Sequence, residues 1–267
     1  MLTFRRFTLV FFMLLLALNL YSIFGCGPSE TFLCASMPWF YAGLIILYFG
    51  ISVTFAFLPC SGFHYPALCR GNAAEKVVSL TFDDGPDEAF TPAILDILKK
   101  HGVPAAFFLA GKNIEPNGEL VRRIHSEGHL AGTHSWGHSA WFDFFTAAMM
   151  KRELIRSTDI IKAITGRTPL MFRPPYGVIN PMLARALRNL PLQVVCWSIR
   201  SFDISLKDPD RVLRRILARL RPGAVILLHD HSDFSSTRLE VMILKIREQG
   251  YQFVSLEQNL NIQAYAD

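Results

Sequence analysis

The 267 residues contain no CxxC pair, and a cysteine zinc site is excluded with it. The five cysteines stand apart, as Cys26, Cys34, Cys60, Cys69 and Cys196. Charge is scarce: 18% of the residues are Asp, Glu, Lys or Arg, against 51% hydrophobic ones. This balance is too apolar for a purely soluble chain and too mixed for a polytopic transporter. The net charge of +5 is dispersed, without a dense Lys/Arg run or a nucleic-acid motif. No nucleic-acid partner is therefore expected, and the basic balance fits a solvated surface near anionic lipid. Internal repeats and low-complexity segments are missing too.

What is present begins with two uncharged apolar runs, at about 7–24 and 38–59. Each approaches or exceeds the length that crosses a bilayer, and Trp39, Phe40 and Tyr41 at the entrance of the second suit the interface. The first also fits a signal peptide, with Arg5 and Arg6 as its basic region. Arg5 and Arg6 precede the first run, Arg70 and Lys76 follow the second, and 25–37 carries no Lys or Arg. By the positive-inside rule, both ends and the domain that follows are expected in the cytoplasm, with a short loop outside. Cys26 and Cys34 bracket that loop, where a disulfide and a pair of free thiols are both open. The expected organisation is two transmembrane segments in 1–60, a linker over 61–75, and one domain over 76–260, long enough for a single core.

After the linker, strand and helix patterns alternate. Strands are expected at 77–82, 104–110, 129–133, 170–174, 192–198, 223–229 and 250–255. Thr91-Pro92 marks a helix start, and Leu239, Met242, Ile243 and Ile246 lie on one helical face. Cys196 falls in an apolar strand pattern and is expected in the core. Seven strands alternating with helices predict a parallel β/α barrel or an open α/β sheet, with ligands at the carboxyl ends of the strands.

The unusual polar residues fall at those ends. Asp83-Asp84-Gly85-Pro86 follows the first strand, and adjacent carboxylates there cost desolvation unless they are paired or metal-bound. His134 and His138, four apart, can face one ion. Arg173-Pro174-Pro175-Tyr176-Gly177 offers an arginine and a backbone N–H on a rigid turn. Cys196-Trp197-Ser198 leads to Asp203, and the sixth strand ends in Leu227-Leu228-His229-Asp230-His231. Each reads alone as a polar turn. Five in order, at successive strand ends, point to one shared site.

Thr81-Phe82-Asp83-Asp84-Gly85-Pro86, His134-Ser135-Trp136-Gly137-His138, Arg173-Pro174-Pro175-Tyr176 and Leu227-Leu228-His229 resemble the motif series of the polysaccharide deacetylases, carbohydrate esterase family 4. The resemblance covers about 75–255. It implies a distorted seven-stranded parallel β/α barrel, here preceded by two transmembrane helices, and removal of N-acetyl groups from amino-sugar glycans. It implies that Asp84, His134 and His138 hold a divalent metal, usually zinc. Asp83 would be the general base, Arg173 its orienting partner, His229 the general acid and Asp203 its tether. The Tyr176 backbone N–H would stabilise the oxyanion, with Leu227, Tyr176 and Trp197 lining the substrate groove. The expected partners are an N-acetylated glycan or glycolipid and the membrane. Many relatives work outside the membrane, which opposes the charge pattern. One stretch departs from the family: Arg200-Ser201-Phe202-Asp203-Ile204 stands where Asp-x-x-Asp-Trp is common. Arg200 suits an anionic or phosphate-linked glycan, or is a plain surface arginine. The alternatives are a deformylase of a lipid-linked amino sugar and a non-catalytic, metal-retaining glycan binder.

Overall fold

The computed structural model describes residues 3–26, 31–72 and 74–266. Two helices come first, α1 (Phe4–Phe24) and α2 (Thr31–Ala56). They pair antiparallel along an aromatic seam, with Phe7 stacked on Tyr48 at 5.2 Å and Phe11 on Tyr48 at 4.2 Å. Away from the seam the apolar side chains stay uncovered: Leu9, Phe12, Met13, Trp39, Ile46 and Phe49 are all exposed. Both helices are long and apolar enough to cross a membrane. α2 starts upstream of the expected run and continues through Pro38. Residues 27–30 of the expected outer loop lie outside the described residues. Cys26 and Cys34 form a disulfide at the far end of the hairpin.

A second disulfide, Cys60–Cys69, was not foreseen and lies at the domain end. The stretch expected as a linker is folded onto the domain there. Phe63 is buried among Phe4, Phe7 and Phe55. Leu68 makes a parallel bridge to Val195, and Arg70 an antiparallel one to Ala224.

The domain is built on a parallel sheet. Its strands are β1 (Val77–Asp83), β2 (Ala105–Leu109), β3 (Leu130–Thr133), β5 (Met171–Phe172), β6 (Gln193–Val194), β7 (Ile199–Arg200), β8 (Ala224–His229) and β9 (Gln252–Phe253). The order is β6-β5-β3-β2-β1-β8-β7, with β9 paired to the start of β1. β4 (Thr168–Pro169) and β10 (Tyr265–Ala266) form a small antiparallel pair beside it. Of the strand expected at 192–198 only β6, at 193–194, is paired; β7 follows just beyond it, at 199–200, on the opposite edge of the sheet. Only residues 195–198 connect those edges, so the sheet must curl until its ends nearly meet. The result is the distorted β/α barrel that the motifs implied.

β1 and β2 are buried almost throughout, as central parallel strands must be. Helices 91–101, 209–217 and 239–248 cover one side of the sheet with Ile94, Leu95, Leu98, Val212, Ile216, Met242 and Ile246. Cys196 is the free cysteine; burial pushes its thiol up to about 12, so it is an inert core residue.

Candidate active site

β1 ends in Asp83, and Asp84 then turns with a φ of 75°. That positive φ points the two neighbouring carboxylates different ways. Asp83 points into the barrel, 3% exposed, where its Oδ1 accepts from Arg173 Nη1 at 2.6 Å. Arg173 is fully buried. It also donates to Thr81 Oγ1, Val195 O and Cys196 O, and its guanidinium lies 4.1 Å from the centre of the Phe108 ring. A buried guanidinium is tolerated only when its donors are used, and here four contacts use them.

Asp84 points outward toward two histidines. Its Oδ1 is 3.3 Å from His134 Nε2 and 3.0 Å from His138 Nε2. The ligand atoms of the three residues lie within 4.8 Å of one another. His134 Nδ1 donates to Arg173 O at 2.7 Å, which fixes the tautomer with Nε2 free to ligate. Asp84 Oδ1 is buried without a hydrogen-bond donor aimed at it. A buried carboxylate oxygen and two imidazole nitrogens that converge without sharing a proton fit a divalent cation of borderline softness.

His229 ends β8, next to β1, with Asp83 and His229 as register partners. Its Nδ1 donates to Asp203 Oδ1 at 2.8 Å, and its backbone N–H donates to Asp203 Oδ2 at 2.8 Å. Ser201 and Ser232 hydroxyls donate to the same carboxylate at 2.6 and 2.9 Å. Burial alone would lower the His229 imidazole, but the Asp203 carboxylate outweighs it and raises its pKa above the ordinary value. Asp203 shifts the opposite way: burial would raise it, but His229 and Ser201 hold it below the usual range.

A cleft of about 170 Å³ opens over these groups. Asp83, Asp84, His134, His138, Tyr176, Trp197, Leu227 and His229 all face it, and so does Arg200. Every residue singled out from the sequence thus meets there, or directly behind it in the case of Arg173 and Asp203. Tyr176 sits at a φ of 58°, its ring 5.0 Å from that of His138. Trp197 packs on Gly177, where a Cβ would come within 2.4 Å of the indole.

Several supporting residues were not read from the sequence. Asn113 Nδ2 donates to Asp84 O at 2.6 Å, and Glu153 accepts from Gly137 N at 2.7 Å in the histidine loop. Ser201 and Ser232 hold Asp203. Asp230 is fully buried beneath the Asp84-Gly85 turn, takes the Thr91 hydroxyl, and is pushed up to about 8, chiefly by burial. No spacing rule signals such partners, because they come from unrelated stretches of chain.

Residues 70–195 match the polysaccharide deacetylase family profile. The chain is 34% identical over 197 residues to the peptidoglycan-N-acetylmuramic acid deacetylase of Bacillus subtilis, covering 72% of this chain and 74% of that one. It is also 34% identical over 183 residues to the peptidoglycan-N-acetylglucosamine deacetylase of Listeria monocytogenes, of whose length it spans 38%. Among solved structures, the Bc1960 peptidoglycan N-acetylglucosamine deacetylase superposes with a TM-score of 0.69 at 33% identity, covering 75% of this chain and 95% of that one. A family pseudoenzyme from Bacillus anthracis superposes at 0.66, with 27% identity and coverage of 72% and 68%. The site built at the strand ends and these likenesses agree, and the chain belongs to the polysaccharide deacetylase family.

Proposed function

We propose that this protein is a metal-dependent hydrolase that removes N-acetyl groups from amino-sugar glycans of the peptidoglycan class. The observation that carries the reading is a carboxylate and an imidazole, Asp83 and His229, on neighbouring strands that flank the Asp84, His134 and His138 cluster. The names of the relatives in Bacillus and Listeria support the substrate class.

Asp84, His134 and His138 would hold the ion. Zinc suits one carboxylate and two imidazoles, and would polarise the acetamide carbonyl and acidify a water. Asp83 takes the proton of the attacking water. Arg173 keeps that carboxylate aimed, since the hydrogen bond from Nη1 occupies only Oδ1 and leaves Oδ2 to act. The Tyr176 N–H assists the oxyanion, and Leu227, 2% exposed, faces the acetyl methyl. His229, whose hold on its proton the Asp203 carboxylate strengthens, gives that proton to the departing amine. The new C–O bond forms first and puts the charge on the former carbonyl oxygen; the C–N bond then breaks as the nitrogen takes the His229 proton, releasing acetate and the free amino sugar.

The test is acetate release from N-acetylglucosamine oligomers and peptidoglycan fragments, with chelator and with zinc restored. Chelator-sensitive release that zinc restores supports the reading. A folded, zinc-loaded protein that releases nothing from either would instead support a non-catalytic role like that of the family pseudoenzyme.

The side of the membrane is part of the proposal. The flanking charges favour a cytoplasmic domain. Against this, the Cys60–Cys69 disulfide lies at the domain end, and the relatives are named for peptidoglycan. We place the catalytic domain on the oxidising side.

A further inference from the structure

The membrane hairpin ends against the mouth of the active site. Ala56 O, at the last residue of α2, accepts from Ile179 N at 2.9 Å. Ile179 is three residues beyond Tyr176, and three residues of extended chain span at most about 11 Å. Cys60 Sγ also lies 3.5 Å from the backbone oxygen of Trp197, whose indole packs on Gly177 beside Tyr176. This side of the cleft is therefore fastened twice to the same end of a bilayer-length helix pair. The head-group layer between hydrocarbon and water is only roughly 5–8 Å deep on each side. A site this close to the end of α2 opens at that layer.

The surface around the mouth matches this position. Trp141 is 69% exposed and Phe144 80% exposed, with their rings 5.8 Å apart on the loop that follows His138. This loop is tied to the same place, because Asn180 Nδ2 donates to Asp143 O at 2.7 Å and Asn180 adjoins Ile179. Phe57 and Leu58, just past α2, are exposed as well, at 64% and 50%. Uncovered aromatic rings level with the end of a membrane span are the usual interfacial anchors. Across the cleft, exposed Arg200 lies 5.6 Å from the Trp197 ring centre and 4.8 Å from that of Phe202, with Arg215 donating to its carbonyl. Cations at this height suit a phosphate at the bilayer surface.

We infer that the catalytic face rests on the bilayer that holds the hairpin, with Trp141 and Phe144 seated among the head groups. In this position the site takes an amino-sugar glycan still joined through phosphate to a membrane lipid. The substrate half of this inference rests on the deacetylase reading; the seating does not.

The full chain in phosphatidylethanolamine/phosphatidylglycerol nanodiscs tests both halves. A nitroxide on Phe144→Cys is compared with one on Leu244→Cys, an exposed position on helix 239–248. The native disulfides and buried Cys196 stay unlabelled without reductant. Position 144 should be more accessible to oxygen than to a water-soluble nickel chelate, and position 244 the reverse. Equal, water-like accessibility at both positions overturns the seating, whether or not the enzyme is active. For the substrate, Trp141→Ser/Phe144→Ser should slow deacetylation of N-acetylglucosaminyl-diphospho-polyprenol in nanodiscs about tenfold. Acetate release from soluble chitotetraose should change by less than about twofold. An equal loss on both substrates would make the two rings part of a glycan groove and overturn the inference. If neither substrate is turned over by the wild type, the deacetylase reading fails, while the nitroxide result still decides the seating.

Discussion

Asp83 and His229 are register partners at the ends of the neighbouring parallel strands β1 and β8, and each is held from behind by a charge of opposite sign. Arg173 grips Asp83 from inside the barrel, and Asp203 grips His229 from the loop beyond β7. A carboxylate and an imidazole, each paired with its own counter-charge, thus stand side by side at the ends of adjacent strands. The low-dielectric wall strengthens each pairing and limits leakage between them.

Replacing the base should stop the chemistry and leave the metal. Asp83→Asn keeps an acceptor for Arg173 but removes the proton acceptor. We expect the rate of acetate release to fall by about 10²–10⁴-fold, the range general bases contribute, with zinc content unchanged. Near-normal turnover would move the base elsewhere.

The pH profile should report the His229–Asp203 pair. His229 acts while protonated, and its folded value is raised. Activity on the alkaline side is therefore present below that value and lost as pH rises through it. In Asp203→Asn the attraction goes while burial remains, so this limb of kcat/KM should move to lower pH. An unmoved alkaline limb would mean that another group donates the proton.

Arg173 carries stability as well as alignment. Arg173→Met strands the Asp83 carboxylate in the barrel, and leaving one member of a buried pair costs about 3–5 kcal/mol. Thermal melting of the detergent-solubilised protein should show a drop of several degrees. Arg173→Lys should not rescue it, because one ammonium cannot reach Thr81, Asp83, Val195 and Cys196 as the guanidinium fork does. Full rescue by lysine would reduce the role of Arg173 to its charge.

The two disulfides sit at opposite ends of the hairpin, so membrane-spanning helices would put them on opposite sides. With the domain on the oxidising side, Cys60 and Cys69 stay bonded, while the Cys26–Cys34 bond faces the reducing side, where cellular thiols open it to two free cysteines. In intact cells an impermeant maleimide should miss Cys34 and reach it only after permeabilisation. Cys34 labelled in intact cells once reductant is added would restore the cytoplasmic placement favoured by the flanking charges.

Much of the site was legible because its chemistry is written in short motifs at strand ends. The Asp-Asp, His-x-x-x-His and Leu-Leu-His motifs mark a shared site at the strand ends, and their resemblance to the deacetylase series implies the ligands, the base and the acid. The departure at Arg200 was legible too, as a substitution within a motif. The apolar runs announced two membrane-length helices by length and lack of charge. What stayed hidden depends on contacts between distant segments. The placing of β6 and β7 on opposite edges gives no periodic signal, since each is only two residues long and only curling of the sheet separates them. The Cys60–Cys69 pairing, Ser232 behind Asp203 and the buried Asp230 under the turn are likewise set by distance in space.

The sequence by itself pointed to the residues that gather at the candidate site and to a bilayer-length apolar pair before them. Side-chain type, order and local spacing suffice for that. Tertiary structure alone decided how the charges are opposed and where the site stands. Arg173 reaches Asp83 across 90 residues because both line one barrel interior. The end of α2 meets Ile179 across more than a hundred residues because the supposed linker packs down against the domain. Burial and packing act on distances through space, to which separation along the chain is a poor guide.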